Sequence, residues 1–324
     1  RPQTRGAAST VGTHECGDAA RHCVGKAVEF ANFAMLGGNY AMGDWRKAGI
    51  TPNGRVAQPY TIVNLKGLRV GIIGLASMGG SYAANTKGLV RLNNRLVAQQ
   101  YIDFLRPMVD LVVVTSHVGY HEDREIISRI EGVDLYFGGH LHIALNPPEV
   151  VKDCDVVKLE RERDLYNCST PEKLSARASI CESKYECDKK TGADQTQCKK
   201  SCADRAKSNC ATEAKERKYK EKREELDHVI AFLKKRKCRP RDVPLVHSGA
   251  FLKYIGKLEV TLRQCNRLGG ADFCLLKDTT TGKCVPGYER RRTCSGNRAG
   301  SNDWEVLAHK YTLVPVDKRL PEDP

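Results

Sequence analysis

Apolar positions in the first half of the chain change period repeatedly, and each change predicts an element. "DAARHCVGKAVEFANF" spaces its apolar residues as one face of a helix. "YTIVNL" and "LRVGIIGL" predict two strands joined at Lys66-Gly67. "RLVAQQYIDFLRPMV" predicts an amphipathic helix that stops near Pro107. It feeds "DLVVVTS", whose β-branched run predicts a strand buried on both faces. "HEDREIISRI" predicts a short helix and "VDLYFGG" the next strand. Strands alternating with helices predict a mostly parallel sheet covered by helices.

After "LNPPEVV" the texture changes. Residues 150–242 are polar, charged and cysteine-rich, with helical patterning from about Ser175 to Lys237 and a turn expected near "KKTGADQ". Apolar patterning returns in "VPLVHSGAFLKYIGKLEVTL", which predicts two strands around a turn. Residues 263–300 are loop-like with four cysteines, and "WEVLAHKYTLVPVDKRLPEDP" is a strand running into a proline-rich linker. The expected organisation is a core in two parts, 1–149 and 243–324, interrupted by a helical insertion at 150–242 and a loop insertion at 263–300.

Cysteine usage and charge refine this picture. The fourteen cysteines fall in groups of two (Cys16, Cys23), eight (154–238) and four (265–294), each even, as disulfide pairing within groups requires. From Cys181 onward the spacings do not suit zinc knuckles, so disulfides in an oxidising compartment are expected: periplasmic, cell-envelope or secreted. The net charge of +14 is concentrated in the inserts. Residues 150–242 hold 25 basic against 18 acidic residues and 263–300 hold 8 against 3, leaving +2 elsewhere. The mixed signs and scarcity of aromatics argue against nucleic-acid binding; contact of the basic insertion with an anionic surface stays open. No apolar run is long enough for a transmembrane segment. The chain begins with Arg1 and without a leader, which suggests a fragment or processed product.

Three histidines follow predicted strands at the edge where open α/β sheets bind ligands: His117 after "LVVVTS", and His140 and His142 after "LYFGG". Neutral imidazoles ligate zinc, manganese or iron, and Gly138-Gly139 lets the backbone turn so that rings can converge. One histidine at a strand end is more often structural; Ser-His-x-Gly followed by Gly-Gly-His-x-His is harder to dismiss. His121 has the pattern of a solvated helix residue, and His22, His228 and His309 have no apparent partners. "MGGSYAANTKG" lacks the Gly-Lys-Ser/Thr ending of a phosphate loop and is expected to be a substrate-side loop.

With "TVGTHECGD", "YTIVNLKGLRVGIIGLAS", "VVVTSHVGYHEDREI", "VDLYFGGHLH" and "VPLVHSGAFLKYIGKLEV" in this order, the chain resembles the calcineurin-like metallophosphoesterase superfamily. Within it the likeness is to the 5′-nucleotidase, UDP-sugar hydrolase and 2′,3′-cyclic-nucleotide phosphodiesterase branch. The resemblance implies a four-layer αββα sandwich, here with a Cys-rich, mainly helical insertion. It also implies two divalent cations (zinc, manganese or iron) and hydrolysis of small phosphate mono- or diesters, nucleotides among them, by metal-activated water. By position, His117 and His140 would bind one cation, His142 the other, and His14 would stabilise the transition state or protonate the leaving group. His247 in "VHSGAF" would support the site or the fold. Two departures weaken the implied centre. The Asp-x-His and bridging Gly-Asp motifs of the family do not precede His14, and Thr13 stands where the family has a ligating Asn. At most one well-bound cation and weak hydrolysis are therefore expected of this chain. The alternative is a non-catalytic envelope binding module on a degenerate scaffold.

Overall fold

The central sheet forms where the chain offers apolar residues to both sides of a strand. The computed structural model describes residues 8–11, 31–42, 57–77, 89–166, 178–179, 181–182, 187–208, 213–251, 253–264, 272–274, 289–291 and 304–316. It divides into two compact units, Arg1–Cys154 with Arg239–Pro324, and Asp155–Cys238.

The strands of the first unit are, in chain order, β1 (Ala8–Thr10), β2 (Ala34–Leu36), β3 (Tyr40–Met42), β4 (Tyr60–Leu65), β5 (Leu68–Leu75), β6 (Leu89–Arg91) and β7 (Leu111–Ser116). They continue with β8 (Leu135–Phe137), β9 (Glu149–Lys152), β10 (Asp242–Val246), β11 (Tyr254–Gln264), β12 (Asp272–Cys274), β13 (Glu289–Arg291) and β14 (Trp304–Pro315). Two helices, α1 (Asn94–Leu105) and α2 (Tyr120–Ser128), lie between strands. The main sheet runs β4-β5-β7-β8-β10-β9. Its four inner strands are parallel, and β4 and β9 are antiparallel edges. β4 and β5 form the expected hairpin through Lys66-Gly67.

Period-two alternation explains the continuous apolar runs. On β7, Val112 and Val114 join Ile73, Leu75 and Tyr136 beneath Val97, Ile102 and Leu105 of α1 and Ile126 and Ile127 of α2. Leu111 and Val113 of the same strand pack from the other face, with Val70 and Leu135, against Leu258, Val260, Leu262, Trp304 and Val306. Those last residues belong to the β11–β14 antiparallel ribbon. The described residues thus build helix, sheet and sheet, three of the layers expected for an αββα sandwich. The segment predicted as two strands around a turn is divided between layers, because β10 ends in the main sheet and β11 begins in the second. The helix predicted over 18–33 falls largely outside the described residues.

The second unit contains α3 (Val156–Leu165), a 3₁₀ turn (Cys187–Lys189), α4 (Gly192–Ser208) and α5 (Glu213–Arg236). Disulfides Cys181–Cys202 and Cys187–Cys198 staple the 3₁₀ turn and α4, both within one of the even cysteine groups. The expected turn near "KKTGADQ" is the entry to α4. The partner of the long helix is instead α3, which the sequence does not announce because its one buried residue is Leu159. Arg163–Asp227 (3.2 Å), Lys234–Glu160 (2.6 Å) and the Tyr166–Tyr219 ring pair (5.4 Å) set α3 antiparallel to α5. Among the described residues no helix is long and apolar enough to cross a membrane.

A buried ion network closes the amino ends of the inner strands. Arg241 reaches Asp153 at 2.7 Å and Asp134 at 3.4 Å, and Arg106 reaches Asp134 at 2.6 Å. The Asp153 and Asp134 carboxylates also accept backbone N–H groups of Arg241 (2.8 Å) and Val112 (2.8 Å). Burial pushes the Asp153 carboxyl above its ordinary range, opposed by the Arg241 guanidinium. Replacing Arg241 by Met takes the 2.7 Å guanidinium from buried Asp153 and leaves Asp134 with Arg106, and is expected to cost about 3–5 kcal/mol in urea unfolding. Lys152→Ala, which breaks an exposed 3.6 Å pair with Asp242, is expected to cost less than about 1 kcal/mol.

Candidate active site

The parallel strands β5, β7, β8 and β10 end at Leu75, Ser116, Phe137 and Val246, all on one edge of the sheet. The chain continues from three of those ends into His117, into Gly138-Gly139-His140, and into His247. Carboxyl edges of such sheets are where ligands bind. His117 donates its backbone N–H to Leu75 O at 2.8 Å, fixing the first loop to the neighbouring strand. The His117 and His140 rings meet edge to face with centroids 5.2 Å apart and planes at 64°.

The loop bearing His140 and His142 is held by the chain that follows β10. Gly138 N–H donates to Val246 O (2.9 Å), Leu145 N–H to His247 O (3.0 Å), and Gly249 N–H to Ile143 O (2.9 Å). These bonds support a backbone that is otherwise unfavourable: His140 and His142 lie in the left-handed region at φ 78° and 57°. The His142 ring packs on Phe251 with centroids 5.0 Å apart.

Beneath this loop lies a buried polar cluster. Ser116 Oγ donates to Asp123 Oδ1 at 2.7 Å, and Asp123 Oδ2 is 3.2 Å from His247 Nε2. Asp123 and His247 are 0% and 1% exposed. Burial, reinforced by the Asp123 carboxylate, pushes the neighbouring Tyr136 hydroxyl well above its ordinary range, so it is a neutral phenol. Tyr120 covers the His247 ring at 5.9 Å. Its hydroxyl donates to Glu149 at 2.6 Å, and that bond, with partial burial, raises its pKa against the pull of Arg124. A second buried network flanks the site: Asn39 donates to Ala76 O and Asn94 Oδ1, both at 2.7 Å, and accepts from Ala76 N–H at 2.8 Å.

The structure therefore brings His117 and His140 together, places His142 beside them against Phe251, and buries His247 below. Thr13 and His14 lie outside the described residues, as do His22 and the "MGGSYAANTKG" segment. His121 and His228 are exposed, and His309 lies on β14, half-buried. Asp123, Ser116, Tyr136 and Asn39 are the residues the sequence did not single out. The available signal was Asp123, seven residues after Ser116 on the buried side of a helix, a place where an unpaired carboxylate would be costly.

The donor set can be compared with a divalent cation. Zinc binds imidazole nitrogen at about 2.0–2.1 Å, which puts two ring centroids of one tetrahedral site roughly 5 Å apart. The observed 5.2 Å suits that spacing. Among the described residues, however, no group of three His, Cys, Asp or Glu side chains could hold a metal ion. The described residues do not fit a two-metal centre by themselves.

Comparison with known proteins adds relatives to this geometry. No protein-family model matches the chain. A 5′-nucleotidase-related protein of Glossina morsitans morsitans is 30% identical over 136 residues, covering 40% of this chain and 23% of its own length. Snake venom 5′-nucleotidase of Gloydius brevicauda is 26% identical over 153 residues, 44% of this chain and 24% of its own length. Among solved structures, a 5′-nucleotidase precursor from Thermus thermophilus covers 96% of this chain and 39% of that chain at 19% identity and a TM-score of 0.47. The curated relatives agree with the branch the motifs resemble, 5′-nucleotidases within the metallophosphoesterases. The matched stretch is about a quarter of those relatives' length.

The packing beneath the loop makes a testable contrast. A Cβ at Gly138 would overlap His247 Nε2 and stand 2.5 Å from Asp123 Oδ2, whereas one at Gly139 would meet His117 Nδ1 at 3.3 Å. Gly138→Ala is expected to lose about 1–3 kcal/mol in denaturant unfolding through overpacking, and Gly139→Ala clearly less. His247→Ala in the same chain should recover part of the Gly138→Ala loss, giving a non-additive double-mutant cycle. Additive effects would contradict the described packing.

Proposed function

We propose that this chain forms the metal-binding part of a metal-dependent phosphoric ester hydrolase of the 5′-nucleotidase kind. The observation that carries the reading is the His117–His140 pair at the carboxyl edge of the parallel sheet, at a spacing suited to one shared cation. The curated relatives support phosphoester hydrolysis as the reaction class. In this reading His117 and His140 donate to one divalent cation. His14 would stabilise the transition state or protonate the leaving group, and Thr13 would be a poor substitute for an amide carbonyl. His142, whose ring packs against Phe251, would ligate the second cation. His247 supports the His140 loop through Asp123. When bound, such a cation neutralises phosphoryl charge and activates water.

The same proposal takes the core as 1–149 with 243–324, interrupted by 150–242 and 263–300, and assigns the substrate as a small phosphate mono- or diester, nucleotides included. It sets the protein outside the cytosol, in periplasm, envelope or medium, supported by the disulfides in the second unit. The basic insertion is left to contact anionic surfaces.

A chromogenic phosphodiester and a nucleoside monophosphate, assayed with added manganese or zinc, test the reading. Turnover should be weak, require metal and be removed by chelation. His117→Ala and His140→Ala should each lower kcat/KM by at least about a hundredfold, while exposed His121→Ala should leave it within about twofold. Folded protein that fails to turn over either ester at any metal concentration would favour the non-catalytic binding module instead.

A further inference from the structure

Four of the large apolar side chains left exposed stand along one flank of the main sheet, beside its edge strand β4. They are Ile62 (42% exposed) and Leu65 (56%) on the strand, and Leu96 (54%) and Phe104 (52%) on α1. Leu96, Gln100 and Phe104 recur every fourth residue and form one stripe along the helix. The Tyr60 ring lies 5.6 Å from Tyr101 and 5.5 Å from Phe104, which sets that stripe next to the strand. Between them runs an open groove, with Ile62 and Gln100 on its walls.

The strand lacks the usual protection in its sequence. Edge strands are ordinarily blunted by charge, proline, a bulge or a cover. From Tyr60 to Leu65, "YTIVNL" has neither charge nor proline, and its register with β5 is unbroken. The other edge, β9, carries Glu149 and Lys152. Backbone direction on β4 follows from the residues that lead into it. Pro59 O accepts Gly74 N–H (3.1 Å) on the β5 side, and Gln58 O accepts Gly37 N–H (2.9 Å) on the other. Alternation then turns the N–H and C=O groups of Tyr60, Ile62 and Asn64 away from β5. Among the described residues these outward groups have no backbone partner.

We infer that β4 pairs antiparallel with β4 of a second copy of this chain, extending the sheet across a two-fold axis and packing the α1 stripes of the two copies against each other. Three features favour a second copy as the occupant. The outward groups are self-complementary: with Gln58 taken by Gly37, Ile62 of one copy meets Asn64 of the other, and the reverse. The four side chains and the strand edge carry no charge, although the chain carries +14, and all but +2 of that lies in 150–242 and 263–300. Two like-charged copies therefore bring no like charges to this contact. Roughly 400 Å² per copy is open on the four side chains, so two copies, with the strand edges and the rings of the groove added, reach the about 1,000–1,200 Å² that specific interfaces need.

Sedimentation velocity of the full chain, disulfides intact, from about 1 to about 100 µM tests the pairing. Twice the chain mass of 36.0 kDa should appear as concentration rises. Ile62→Lys and Phe104→Lys, each placing a charge on an exposed face, should raise the dissociation constant at least about tenfold, and Val150→Lys on β9 should leave it within about twofold. Hydrogen exchange of segment 58–65 reads the same contact in the unaltered chain and decides where a variant does not fold: its amides should slow between those concentrations. A chain that stays monomeric across the range, leaving the edge to another partner, overturns the inference. So does a dimer that is indifferent to both lysines at β4 and α1, one equally weakened by Val150→Lys, or exchange at 58–65 that ignores concentration. None of these readouts depends on turnover, so the pairing stands or falls apart from the hydrolase reading.

Discussion

The contact on which the candidate site depends is the buried approach of Asp123 to His247, 3.2 Å apart and closed to solvent. It joins two stretches that chain order keeps far apart. Asp123 stands on α2, which follows His117, and His247 ends β10, whose extension carries the His140 loop by three backbone hydrogen bonds. Moving either partner displaces a histidine-bearing loop. Because the pair fills the space under Gly138, that position has no room for a side chain. The polar groups of the cluster are also expensive to bury unless they face one another: Asp123 accepts the Ser116 hydroxyl on Oδ1, and its Oδ2 stands 3.2 Å from His247 Nε2.

Layering explains why the site sits on this edge. The inner strands are parallel, so their carboxyl ends are level, and both faces are covered, by α1 and α2 on one side and the β11–β14 ribbon on the other. The carboxyl edge lies between these two covers. The opposite edge is sealed by Arg241, Arg106, Asp134 and Asp153.

Much of this was legible in the sequence where the physics is local. The runs around β5 and β7, the hairpin at Lys66-Gly67 and the helix over Asn94–Leu105 follow from period and turn chemistry alone. The histidines at strand ends were visible because a glycine pair before His140 has few local reasons to exist. Helix α3 was not legible, since its charged surface hides one buried leucine. Nor were Asp123 and Ser116. A carboxylate on a helix and a serine at a strand end look solvated until tertiary packing places His247 between the layers. Phe251 was hidden for a related reason: "VHSGAF" does not announce that its last residue faces outward in a left-handed turn.

The left-handed residues sharpen the relation between stability and chemistry. Six non-glycine residues among those described have positive φ, and three of them, His140, His142 and Phe251, stand at the carboxyl edge. Each costs on the order of 1–3 kcal/mol, so their clustering needs a surrounding structure that over-determines them. That structure is the β10 extension and the turn into β11, tied to the His140 loop on one side and to β14 on the other. The chain leaves the first unit after β9 and re-enters at β10 with Lys152 beside Asp242, at the amino end of β10 and away from the histidines. An insertion at that point lengthens the route to His247 without touching the backbone bonds that hold the site. The strained loop can thus depend on a distant segment, because the sheet register, and not the connection between β9 and β10, brings the two together.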